Sequence, residues 1–158
     1  MTMSEADVER YARQIVIPEV GVEGQQRLLA SRVLVLGQGP GAEAARCYLE
    51  AAGVSTTEGP DPAAAADCLL LAGAEFTPDY ENLDRVWYYV DRDRLVSGLA
   101  PAGTKLPARS QSSPGTGAAA LVRETAAGIE AAARTVALLL GWQPGPKAGQ
   151  DPEDFTLG

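Results

Sequence analysis

The chain has 158 residues, 46% hydrophobic and 22% charged, enough for one domain with its own core and too few for two. Its 13 basic and 21 acidic residues leave a formal charge of −8, which disfavours a nucleic-acid partner. Histidine is absent, removing the commonest general base and metal ligand, and two cysteines, Cys47 and Cys68, are too few for a tetrahedral zinc site or a disulfide framework.

The first residues, Met1 to Asp7, are polar and acidic, unlike a secretory signal, and no apolar run approaches the roughly 18 residues of a membrane span. The expectation is a cytoplasmic protein without a membrane partner. In chain order, Ser4 with Asp7 reads as a helix cap before an amphipathic helix from about Glu5 to Gln14, with Val8, Tyr11 and Ile15 at helical spacing. Pro18 and Gly21 interrupt, and Glu23 to Ala30 reads as a second short helix.

Arg32–Leu36 is a continuous apolar run of the kind that a parallel strand covered on both faces requires. Gly37-Gln38-Gly39-Pro40-Gly41-Ala42 follows. A helix over Glu43–Ala52 comes next, with an apolar face through Ala45, Tyr48, Leu49 and Ala52, and Gly53 stops it. Val54–Thr57, Cys68–Leu71 and Val86–Val90 read as further strands. Ala100–Gly117 is rich in Pro, Gly, Ser and Thr and reads as a long exposed loop. Ala118–Leu140 is the longest helix. The pattern predicts an α/β fold: a reduced Rossmann-like, mostly parallel sheet with helices on both faces, an N-terminal helix and a long C-terminal helix. The single domain is expected over 1–141, with a Pro/Gly-rich acidic tail over 142–158.

The stretch Gly37-x-Gly39-x-x-Ala42 matches the dinucleotide fingerprint, with Ala in the third glycine's place. Gly37 would permit the tight turn, Gly39 would let backbone approach a phosphate, and Ala42 would allow close helix–strand packing. The helix start would offer N–H groups and partial positive charge to an anion, although Pro40 removes one donor. The alternative is a glycine turn that only packs strand against helix. Glu58 and Asp61 lie about where an acidic residue would hold a ribose hydroxyl, and each stands equally well as a solvated turn residue beside Gly59-Pro60. Both cysteines read as inert core thiols.

Arg10-Tyr11-Ala12-Arg13-Gln14-Ile15-Val16-Ile17-Pro18-Glu19-Val20-Gly21, Gly24-Gln25, Leu28-Leu29 and Ser31-Arg32-Val33-Leu34-Val35 together resemble the N-terminal signature of the ThiF/MoeB/HesA family. The family comprises E1-like enzymes that activate ubiquitin-like proteins. The glycine loop and Tyr48-Leu49-x-Ala51-Ala52-Gly53-Val54 extend the likeness, so that it covers Arg10–Val54 without a gap. Ala127–Gly141 is similar to the family's last long helix, which contributes to a homodimer core. The resemblance implies ATP on the glycine loop and adenylation of the terminal glycine of a ubiquitin-like sulfur carrier. It also implies that Arg13 reaches across a dimer to the nucleotide phosphates; otherwise Arg13 is a surface charge on an amphipathic helix.

The interval from Val54 to Gly117 departs from the family. It keeps neither the Asp-x-Asp pair, nor the nucleotide lysine, nor the magnesium aspartate, nor the paired Cys-x-x-Cys of zinc-binding members. Lys105 and Lys147 fall elsewhere, and Asn82-Leu83-Asp84-Arg85 echoes a family stretch in the wrong place. Each comparable electrostatic group is worth roughly 10²–10³ in rate, so adenylation by this chain alone is disfavoured. The candidate cofactor residues are therefore Arg13, Gly37, Gly39, Gly41, Ala42, Glu58 and Asp61, with ATP as the candidate cofactor, no zinc and no catalytic residue assigned. The leading expectation is a degenerate, dimeric binding or scaffold protein. The alternatives are an active ATP-dependent adenylyltransferase and a plain nucleotide binder. The candidate dimer surface is the small-residue face of Ala118–Leu140 with the N-terminal helix.

Overall fold

The computed structural model describes residues 3–57, 67–72, 87–91, 96–100 and 117–142. Its elements are α1 (Glu5–Ile15), α2 (Gly21–Ala30), β1 (Arg32–Leu36), α3 (Pro40–Ala52), β2 (Ser55–Thr57), β3 (Cys68–Ala72), β4 (Trp87–Asp91), β5 (Val96–Ala100) and α4 (Ala118–Leu140). The strands form one five-stranded sheet in the order β2-β1-β3-β4-β5. The first four are mutually parallel, and β5 closes one edge antiparallel to β4, with Tyr89 opposite Gly98. The architecture is α/β with a mostly parallel sheet.

The central position of β1 explains its composition. Val33, Leu34 and Val35 are all buried, although successive side chains of a strand point to opposite faces. Val33 and Val35 join the cluster of Ala42, Ala45, Leu49, Cys68, Leu70, Ala127 and Ala131, in which α3 and α4 pack on the sheet. Leu34 faces the other way and is still only 1% exposed, so both faces of the sheet are covered at β1.

At the start of α1, the Ser4 hydroxyl accepts from the Asp7 amide while the Asp7 carboxylate accepts from the Ser4 amide, a reciprocal cap. Helix α3 begins at Pro40, earlier than the expected Glu43, because a proline at the first helical position has the right φ and lacks an N–H that would be orphaned anyway. The face assigned to α3 needs two corrections. Tyr48 is 43% exposed and lies at the edge of the buried stripe of Gly41, Ala42, Ala45 and Leu49. Cys47, expected in the core, is exposed, because it sits about 200° around the helix from Ala45. Cys68 is buried as expected.

Strand β5 is an addition to the elements expected. Only the first and last residues of the expected loop are described: Ala100 ends β5 and Gly117 is the N-cap of α4. The segments 101–116 and 143–158 lie outside the described residues, as do Asn82, Lys105 and Lys147. Trp142 still belongs to the folded part: its indole N–H donates to the Glu19 carbonyl at 3.2 Å, tying the end of α4 to the turn between α1 and α2.

Candidate functional site

The glycine loop runs from the end of β1 to the first turn of α3. Gly37 has φ +121° and Gly39 has φ +101°, both in the region that disfavours side chains. The sequence between strand and helix therefore depends on glycine at these two places for conformation, whatever the loop binds. Arg46, on the second turn of α3, donates to the Gly37 carbonyl at 2.9 Å and, at a longer 3.5 Å, to Val35. It fastens the loop to the helix. Sequence reasoning missed Arg46, because nothing in its spacing distinguishes it from a surface arginine.

Gly41 and Ala42 have a different role. Both are buried, and Ala42 is 0% exposed within the cluster that joins α3 to the sheet. A Cβ on Gly41 would lie 2.9 Å from the Glu124 carbonyl oxygen and 3.1 Å from Glu124 Cγ. A Cβ on Gly128 would collide with the Gly41 carbonyl and sit 2.7 Å from Gly41 Cα. Helix α4 thus crosses the first turn of α3 backbone against backbone. Small residues at 41 and 128 are required by this crossing, and the face of α3 that carries them is closed to a ligand.

Arg13 lies at the opposite end. Its neighbour Gln14 donates to the Ala51 carbonyl at 3.0 Å, and Gln25 of α2 donates to the Ala52 carbonyl at 2.9 Å. These two side chains satisfy carbonyls that the last turn of α3 leaves without an intrahelical donor. Tyr11 and Gln25 close over Gly53, where a Cβ would lie 2.8 Å from Gln25 Nε2 and the φ is +96°. The 13 residues of α3 span about 20 Å. Exposed Arg13 therefore sits roughly that far from the glycine loop of its own chain.

The structure consequently brings Gly37, Gly39, Gly41 and Ala42 together at one end of α3 and leaves Arg13 at the other. Glu58 and Asp61 lie outside the described residues. Among the described residues no group of three His, Cys, Asp or Glu side chains could hold a metal ion, and no helix is long and apolar enough to cross a membrane.

A parallel strand, a left-handed glycine turn and a helix packed on the sheet define a Rossmann-like α/β protein. No protein-family model matches the chain. It is similar, at 48% identity over 54 residues, to the probable adenylyltransferase/sulfurtransferase MoeZ of Mycobacterium tuberculosis, a match covering 34% of this chain and 14% of that protein. The sulfur carrier protein ThiS adenylyltransferase of Escherichia coli is 44% identical over 54 residues, 34% of this chain and 22% of its own length. A probable molybdopterin-synthase adenylyltransferase of Gracilaria tenuistipitata var. liui is 35% identical over 92 residues, 58% of this chain and 22% of that protein. Among solved structures, one titled "Crystal Structure of SeMet PaaA" superposes with a TM-score of 0.60 over 91% of this chain and 68% of that one; at 14% identity this speaks for the fold alone. Over about a third of its length the chain is thus similar to adenylyltransferases of the ThiF/MoeB type. It matches only between about a tenth and a quarter of the length of these curated relatives, 11% to 22%.

Proposed function

We propose that this chain is a degenerate E1-like protein that works as a dimeric binding or scaffold protein and keeps at most a vestigial nucleotide site at Gly37–Gly39. The observation that carries this reading is the outer face of α4. Ala119, Val122, Ala126 and Ile129 are exposed at alternating spacings of three and four, with Val122 68% and Ile129 40% exposed. That spacing is the seam of a helix that packs on another helix. The occupant is a second copy of α4, because such a face, repeated by a two-fold axis, meets itself. The domain over 1–141 would then be the dimerising unit, in the cytoplasm, with a ubiquitin-like sulfur carrier or another protein as its partner.

The vestigial character of the nucleotide site is supported by the burial of Gly41 and Ala42 under α4, and by the family's nucleotide lysine and magnesium aspartate having no counterpart in the sequence. The second reading, an active ATP-dependent adenylyltransferase for a sulfur carrier, is favoured by the two left-handed glycines and by the names of the relatives. Calorimetric titration of ATP–Mg²⁺, with the mass in solution measured by light scattering, separates the two. A dimer with no heat of binding is expected. Micromolar ATP binding that Arg13→Ala weakens would instead support the enzyme, and a monomer at all concentrations would remove the scaffold reading.

A further inference from the structure

We draw no further inference here: the strongest candidate, the patch of exposed apolar side chains that Val16, Ile17, Val22 and Trp142 form around the turn between α1 and α2, carries none because nothing in the structure shows what covers it.

Discussion

Gly41 and Gly128 touch through their backbones, so that α3 and α4 cross without a side chain between them. Gly128→Ala would ordinarily favour a helix interior by about 1 kcal/mol. Here its methyl group would meet the Gly41 carbonyl and Cα, and overpacking of this kind costs about 1–3 kcal/mol. Chemical denaturation should therefore show net destabilisation by Gly128→Ala. Gly41→Ala would meet Glu124 first, its carbonyl oxygen at 2.9 Å and Cγ at 3.1 Å, longer than the approach at Gly128, and should cost less. A Gly128→Ala variant more stable than the wild type would mean that the helices do not cross here.

The two glutamines at the far end of α3 should differ in weight. Gln25 is fully buried and donates to the Ala52 carbonyl, whereas Gln14 makes the equivalent bond to Ala51 in an exposed setting. Removing a buried partner strands a carbonyl and costs about 1–3 kcal/mol, while water can replace an exposed donor. Gln25→Ala should accordingly lower the unfolding free energy clearly more than Gln14→Ala does. Equal losses would contradict the burial of Gln25.

The cap of α1 predicts a pH dependence. Asp7 is held below its ordinary carboxylate pKa chiefly by the Ser4 hydroxyl, then by the Ser4 amide, with a smaller contribution from Arg10. A carboxylate whose folded pKa is lowered stabilises the fold above its unfolded pKa, and that contribution is lost as the pH falls through the folded value. Amide hydrogen exchange in the first turn of α1 should speed up relative to the rest of the chain on acidification. Ser4→Ala should shift that onset to higher pH. An onset unmoved by Ser4→Ala would show that the hydroxyl does not set the Asp7 pKa.

The elements that can be read in the sequence are those whose signal is local. The apolar run of β1 and the long alanine-rich, apolar stretch near the C-terminus mark Arg32–Leu36 and Ala118–Leu140, the bounds that the structure has. Strand β5 could not be read, because Val96-Ser97-Gly98-Leu99-Ala100 has weak strand preference and is a strand through its pairing with β4. In the glycine loop, the conformational need for Gly37 and Gly39 is legible from strand–turn–helix order. The reason for Gly41 is not, since it lies in Glu124 and Gly128 of a helix far along the chain. Likewise nothing local to Gln14 and Gln25 shows that the fold brings them to carbonyls 37 and 27 residues away.

The exposed face of α4 gives the prediction that bears most directly on what the protein does. Val122 and Ile129 are seven residues apart and so lie on one side of the helix, separated by Ala126. Their side chains contribute little to the chain's own core, and substitutions at such places change stability by about 0.5 kcal/mol or less. In the proposed dimer a charge there would face its own copy across a two-fold axis. The double variant Val122→Glu with Ile129→Glu should therefore keep the thermal transition of a monomer fold while halving the mass seen by light scattering. Should the variant stay dimeric, the partner surface lies elsewhere, and the exposed turn after α1, with Val16 and Ile17, becomes the next place to alter. Should it unfold, the face belongs to a core that forms only in the assembled protein, and the dimer is then obligate.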